Sequence, residues 1–439
     1  MDRLAADVLR RVTDTRRADF EKLVMDQGLV YNETVLPNGE KVSYWNEGVF
    51  YTLTPQETEA LHQATALMFS MCVEAGDYLV AHPEVMVRMG IPEWTHQQIV
   101  RTWNLEPARG SVYGRFDVRY AHSYGLRGGT SNDDPTLADP KFLEFNADTP
   151  TALVESARIQ WFAQKDAGIG TDQWNGIEDM LVAAWKRNLT LLGKDLGHKP
   201  VVHFAYDPAE ESGEDLMSTE FLRDTCDQAG YQTVLLTMQD IGWSTELGFY
   251  DDSTGTPRHI DVIFKLYPWE WMLREEFGRA AFLDMENPRG TIWIEPPYKM
   301  LWSNKGLLAV LWQLFGDDPV KSRLLLPTFF EVDRPSWMVD YARKPLLGRE
   351  GANVTLFRNN EPLDQGENKD YGDEGFVVQA LAPLPNYPGP HGNNHPVLGI
   401  WIVDGEPAGL GIRESDGLVT DNLSRFTANA IEAISDREV

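Results

Sequence analysis

Four polar side chains on two short apolar runs carry the first chemical signal in this chain. The run GRFDVRY, residues 114–120, places Arg115 and Asp117 two positions apart. The run KFLEFNADTPT, residues 141–151, places Glu144 and Asn146 two apart, among Phe142, Leu143 and Phe145. If both runs are strands, the period of two puts each pair on one face. Pairing the strands would gather an aspartate, a glutamate, an asparagine amide and an arginine in one small space. Two carboxylates and a neutral oxygen suit Mg²⁺, a hard cation that completes its oxygen shell with water and substrate phosphates. An arginine beside them can stabilise charge on a transferring phosphoryl group. The same letters also fit two solvated strands with ordinary polar faces, and only structural context decides.

A lysine and glycines form the second signal. Lys344-Pro345 runs into Gly348-Arg349-Glu350-Gly351. Glycines let main-chain N–H groups approach an anion closely and lysine adds a point charge, so the segment reads as a flap over phosphates. A plain hairpin would read the same way, and no GxxxxGK[ST] phosphate loop occurs. Lys305, at a helix start after Ser303-Asn304, is either a phosphate or adenine contact or a solvated first-turn lysine. The stretch FVVQAL, residues 376–381, reads as a strand whose main chain can meet an adenine edge. Arg413, near the end of an apolar hairpin over 397–414, can clamp a carboxylate or remain a surface charge.

Composition narrows the function classes. The chain has 439 residues, 42% hydrophobic and 11% aromatic, with fourteen tryptophans. That is enough for about two or three packed domains. Sixty-seven acidic against 39 basic residues give a formal charge of −28, which repels a phosphate backbone and argues against nucleic-acid binding. Cys72 and Cys226 are far apart and imply neither a disulfide framework nor a zinc site. The histidines, His122, His203, His259, His391 and His395 among them, show no ligand spacing. GxSxG and GxGxxG are absent, which removes support for a serine hydrolase or a dinucleotide fold. The N-terminus has no apolar signal core, and no window approaches the roughly 18–20 apolar residues of a membrane span. A soluble, cytoplasmic protein is expected.

The elements that must position these residues follow from pattern. Residues 5–27 read as an amphipathic helix and 42–54 as two short strands. A helix opens at Thr54, with Pro55 first and Glu57 completing a capping box. Residues 84–104 stay helical, with a break at Pro92. The passage 125–140 is loop by its turn residues. A helix starting at Thr151 lies directly behind the proposed metal ligands and would aim its N-terminal dipole at them. Between about 180 and 290, helices alternate with strands, which argues for an α/β layer with a partly parallel sheet. The block 339–439 holds the flap, the FVVQAL strand and a hairpin turning at Asp404-Gly405.

Seven stretches, taken jointly and in order, resemble the glutathionylspermidine synthase family. They are RFD (115–117), LEFNADTPT (143–151), IDVIFKLYPWEW (260–271), NKG (304–306), KPLLGREG (344–351), VVQAL (377–381) and GIRESDGLVT (411–420). The resemblance is to the synthetase domain, an ATP-grasp acid–amine ligase. It implies an α/β (α+β) fold of ATP-grasp type, with a small preATP-grasp-like α/β layer preceding the nucleotide-binding portion. Three segments are expected: 1–110 joined to the ligase core, 111–290 with the metal-ligand strands and substrate layer, and 291–439 with the flap and hinge.

By the same resemblance, Asp117, Glu144 and Asn146 are the magnesium ligands and Arg115 the catalytic arginine. ATP would be held by Arg115, Phe116, Asp117, Lys305, Lys344, Glu350, Gly351, Gln379, Ala380, Leu381, Ala382, Leu418, Val419 and Thr420. Thr149 would lie near the acid, Glu210 and Glu211 would hold the amine, and Arg413 would clamp a carboxylate. The implied reaction activates an acid, glutathione or another peptide, as an acylphosphate and joins it to a polyamine, with ATP and Mg²⁺ consumed or bound. The family's bifunctional members carry an N-terminal cysteine amidase domain. The metal-ligand stretch begins too early here for one, so hydrolysis of the conjugate is not expected. Three rivals stay open: a ligase of the same fold using another peptide or acid and another amine, a non-catalytic ATP-binding protein, and a carbohydrate-acting enzyme using paired carboxylates. The last leaves the lysine-glycine flap without a purpose.

Overall fold

The computed structural model describes residues 9–13, 16–35, 39–105, 110–120, 139–389 and 392–432. His122, His391 and most of the loop expected over 125–140 lie outside the described residues.

A seven-stranded sheet draws its strands from both ends of the described chain and from between them. Its order is Leu9–Val12, Trp45–Leu53, Arg425–Ile431, Glu406–Ser415, His395–Val403, Tyr113–Arg119 and Lys141–Asn146. Neighbours are antiparallel except Trp45–Leu53 with Arg425–Ile431, which run parallel. Every residue of Tyr113–Arg119 and of His395–Val403 is buried. Both faces of these central strands are therefore covered, which explains their dense aromatic and β-branched content. The expected hairpin turns at Asp404-Gly405, with φ of 51° and 84°. Positive φ at both central residues matches the twist of the flanking strands.

Two further sheets flank this one. A parallel sheet has the order Ile292–Ile294, Val262–Leu266, Val202–Tyr206, Thr233–Thr237, and the helix Glu214–Gln228 packs on it. An antiparallel sheet has the order Thr328–Phe330, Phe376–Ala380, Tyr341–Pro345, Thr355–Arg358, Glu361–Gln365. The glycine-rich flap links its third and fourth strands.

The helix Pro55–Ala81 opens with the expected capping box: Thr54 N–H donates to Glu57 at 2.7 Å, and Glu57 N–H donates to Thr54 Oγ1 at 3.2 Å. Contrary to expectation, this helix is long and apolar enough to cross a membrane, with mean hydropathy 1.2 over its most apolar window. Its apolar face is instead spent inside: Leu61, Met68, Met71, Cys72, Ala75 and Leu79 are each at most 1% exposed. It packs on the helices Lys299–Ser303 and Gly306–Phe315 and behaves as a core helix.

The N-terminus departs from its helical pattern. Residues Leu9–Val12 form an edge strand on Trp45–Leu53, and among the described residues of the expected 5–27 helix only Phe20–Asp26 is helical. The cause is non-local. Arg10 forks onto the fully buried Glu414 at 2.8 and 2.9 Å, and Arg11 meets Glu432 at 2.6 Å. The helix expected from Thr151 also starts differently, opening as a wide π turn, Glu155–Ile159, before Gln160–Ala167.

The parallel sheet is locked to the turn after Asn146 by a buried ion pair. Lys265, 0% exposed, donates to Asp148, 1% exposed, at 2.9 Å, and Trp269 N–H donates to the other oxygen at 2.8 Å. Asp148→Ala would leave the Lys265 ammonium buried without its counter-ion, so a loss of about 3–5 kcal/mol is expected from urea denaturation. A loss below about 1 kcal/mol would show that Lys265 sheds its proton at little cost.

Candidate active site

The two strands carrying the first signal pair antiparallel, with Arg115 opposite Asn146 and Asp117 opposite Glu144. A bulge between Asp117 and Val118 shifts the register just beyond this point. The turn leaving Asn146 is pinned by Ser303, whose hydroxyl accepts from Ala147 and Asp148 N–H at 3.0 and 2.9 Å. Phe116 is the exception among the expected residues of this stretch. It is 0% exposed and packs against Phe142 and Phe145 on the opposite face. The alternation that aims Arg115 and Asp117 into the site necessarily turns Phe116 away.

Asp117 is 6% exposed and sits between two guanidiniums. Arg115 donates to it at 2.7 and 3.3 Å, and Arg413 at 2.6 Å. Burial pushes its carboxyl up, but Arg115 and Arg413 outweigh that and hold it below the usual value. Arg115 also donates to the Thr151 carbonyl at 2.6 Å. Glu144 meets the Lys305 ammonium at 3.1 Å. No cluster of three His, Cys, Asp or Glu side chains with metal-holding geometry exists among the described residues. The available donor set is two carboxylates facing each other in register and one amide oxygen. That set suits a hard ion that draws its remaining ligands from phosphates and water.

One cavity of about 430 Å³ collects these groups with the other expected site residues apart from Phe116 and Glu211. Lys344 and Lys305 both line it. Lys344 donates to the Leu143 carbonyl at 3.0 Å and to Gln379 at 2.7 Å, and Lys305 donates to the Gly348 carbonyl at 2.6 Å. Burial, with Lys305 nearby, pulls the Lys344 ammonium down to about 8. The flap lies down on the wall formed by Leu418, Val419 and Thr420. At Gly351, φ is +70° and a Cβ would stand 2.4 Å from the Thr420 carbonyl, so only glycine fits. Glu350, also a lining residue, accepts from Lys369 at 2.7 Å and from Asn422 at 2.6 Å.

Gln379, Ala380, Leu381 and Ala382 line the same cavity. The N–H groups of Ala380 and Leu381 are, however, donated to the Pro327 and Asp340 carbonyls at 2.8 and 3.1 Å. An adenine edge would have to use the other main-chain groups of this hinge.

A group of acidic residues lines the cavity as well. Thr149, Glu210, Glu214, Asp215 and Arg413 line it, together with Tyr31 and Tyr44. Glu211 is not among the lining residues; it is exposed, on the loop before the Glu214–Gln228 helix. The stretch DPAEESGED holds two acidic pairs, and the second, at the helix start, reaches the cavity. Burial, reinforced by Glu155, raises the Glu214 carboxyl to about 8. Burial and repulsion from Glu210 raise Asp215 to about 7. Arg349 was also missed, although it stands inside KPLLGREG. It donates to the Thr149 hydroxyl at 2.5 Å and carbonyl at 3.0 Å, and to Glu270 at 3.3 Å, tying the flap to the turn after Asn146. Arg413, expected as a carboxylate clamp, is occupied with Asp117.

Comparison with known proteins gives a consistent outcome. A family model described as glutathionylspermidine synthase preATP-grasp matches residues 11–432. A proposed acid–amine ligase of Haemophilus influenzae is 32% identical over 436 residues, covering 95% of this chain and 98% of that protein. The trypanothione synthetase of Crithidia fasciculata is 24% identical, covering 82% of this chain and 53% of its own length. The bifunctional glutathionylspermidine synthetase/amidase of Escherichia coli is 24% identical, covering 88% of this chain and 60% of its own length. Among solved structures, a glutathione synthetase like-effector from Globodera pallida superposes with a TM-score of 0.53 at 11% identity, over 96% of this chain and 100% of that one.

Asp117→Asn and Glu144→Gln are each expected to lower Mg²⁺-dependent ATP turnover by about 10²–10³-fold or more while far-ultraviolet circular dichroism stays unchanged. Turnover within about threefold of the parent would remove both residues from the metal set.

Proposed function

We propose, for a chain that belongs to the glutathionylspermidine synthase preATP-grasp family, that its acid is a peptide carboxylate such as glutathione and its amine a polyamine such as spermidine. The protein is an ATP- and Mg²⁺-dependent ligase that forms a C–N bond, on an ATP-grasp-type fold of mixed α/β architecture. The observation that carries the substrate reading is the cavity's polarity. Two lysines and a glycine flap line it, and so do the acidic residues Glu210, Glu214 and Asp215. A phosphate chain suits the first and a multiply charged cation the second. The two relatives named for glutathionylspermidine or trypanothione synthesis add support. Two buried free cysteines fit a reducing, cytoplasmic setting.

In this reading Asp117, Glu144 and Asn146 hold Mg²⁺, which supplies charge neutralisation on the phosphates when bound. Lys344 and Lys305 hold the phosphate chain, with the flap above it. The acid's carboxylate, placed near Thr149, attacks the γ-phosphorus to give an acylphosphate and ADP. Arg115 faces the phosphoryl group and spreads its developing charge. The amine then attacks the acyl carbon, and phosphate leaves. A polyamine arrives protonated and must lose a proton before attack. Glu214 and Asp215, raised to about 8 and 7, are bases matched to that transfer.

Phosphate release from Mg-ATP is expected only when glutathione and spermidine are both present, with a product mass equal to their sum less water. Glu214→Gln should raise the spermidine KM by about tenfold or more without changing the ATP KM. Release with a different acid or amine, and none with this pair, would replace the substrates. Release with neither present would point to plain hydrolysis.

A further inference from the structure

Glu155 has no part in the chemistry above, yet its surroundings are not those of a packing residue. It is 0% exposed. Its Oε1 accepts from the Tyr44 hydroxyl at 2.8 Å, while Oε2 has no hydrogen-bond partner among the described residues. An unpaired buried carboxylate oxygen is unfavourable and calls for a reason. The backbone presenting it is unusual as well. Ala152 has φ of 64°, and Glu155 opens the π turn Glu155–Ile159. Such turns within helices often mark functional positions. The turn is pressed onto the strand that carries Arg413, since a Cβ on Gly411 would stand 2.2 Å from Ser156 Oγ.

Tyr44 connects this buried group to the cavity. It lines the cavity beside Tyr31, with ring centroids 5.1 Å apart. Glu214, another lining residue, feels Glu155 more strongly than any other charged group. A cavity-lining tyrosine is thus backed by a carboxylate sealed from water.

We propose that Tyr44 and Glu155 form the outlet for the proton that the amine loses as the amide forms. The inference rests on the amine-ligase reading above. An entering ammonium gives its first proton to Glu214 or Asp215 and becomes nucleophilic. As the C–N bond forms and the C–O bond to phosphate breaks, the nitrogen carries one proton in excess. Tyr44 Oη takes that proton while its own hydrogen passes to Glu155 Oε1. The net result is an amide, free phosphate and a neutral Glu155. The proton returns to solvent by the reverse shuttle through Tyr44 once product leaves. Tyr44 touches the reacting nitrogen; Glu155 acts through it as a positioning and proton-holding residue.

The charges facing the pair are consistent with this role. Burial raises the Glu155 carboxyl above its ordinary value, while its own backbone N–H, Tyr44, Arg115 and Arg413 pull it back. Tyr44 is raised by burial, then by Glu155 and Glu214, with Arg413 opposing. Asp215 and Glu350 also raise Glu214.

The test separates acyl activation from amine attack. Rapid quench of the enzyme with glutathione, spermidine and Mg-ATP reads ADP, formed with the acylphosphate before the amine attacks, separately from amide, formed after it. In Tyr44→Phe and Glu155→Gln the first turnover of ADP should form within about threefold of the parent rate, while amide formation falls by about 10²-fold or more at pH 7 and recovers towards alkaline pH. Equal loss of both steps, or an unchanged pH profile of amide formation, would overturn the relay and leave the ligase reading intact. Absence of ADP from the parent enzyme would overturn the acylphosphate reading and the relay with it.

Discussion

A buried carboxylate is tolerated only where cations stand against it, and Asp117 has two. Arg115 reaches it from the same strand and Arg413 from the strand two places along the sheet. That contact joins the strands of Asp117 and Glu144 to the strand Glu406–Ser415 across the intervening His395–Val403 strand. Asp117 faces Glu144 because the register between Tyr113–Arg119 and Lys141–Asn146 allows nothing else. A slip of one residue would put Phe116 in the cavity and Asp117 in the apolar core. Core packing and site chemistry are therefore enforced by the same alternation.

Three of the sheets each contribute one kind of side chain to the cavity. The seven-stranded sheet brings Asp117, Glu144 and two arginines. The five-stranded sheet brings Lys344 and the flap. The parallel sheet brings the helix that starts at Glu214. Arg349 ties two of these parts together, since its guanidinium leaves the flap and bonds Thr149, in the turn after Asn146. The Lys265–Asp148 pair ties the third. A site assembled from separate layers needs such cross-links, because misplacement by about 1 Å can cost about 10²-fold in rate.

Much of this was legible in the residues, and the failures have physical causes. Strand register and the capping box at Thr54 follow from local rules of period and hydrogen bonding. The glycine requirement at the flap does too. Phe116 was misplaced because a contiguous motif was carried into the site without regard to alternation. Glu211 was chosen over Glu214 and Asp215 because the point where the loop becomes a helix decides which acidic pair faces inward. The N-terminal strand was invisible because its partner, Glu414, lies some four hundred residues away in sequence. The apolar helix Pro55–Ala81 looks the same by composition whether a bilayer or a protein core covers it; the burial of its Met and Leu face distinguishes the two.

The claim that unites these features is that this cavity activates an acid by phosphorylating its carboxylate. The most direct measurement uses glutathione labelled with ¹⁸O in its carboxylates, with Mg-ATP and spermidine, and weighs the phosphate released. An acylphosphate transfers one carboxylate oxygen to phosphate, so each turnover should yield phosphate carrying one ¹⁸O. Amide formation with unlabelled phosphate would contradict the mechanism, because the γ-phosphoryl group would then never have been bonded to the acid.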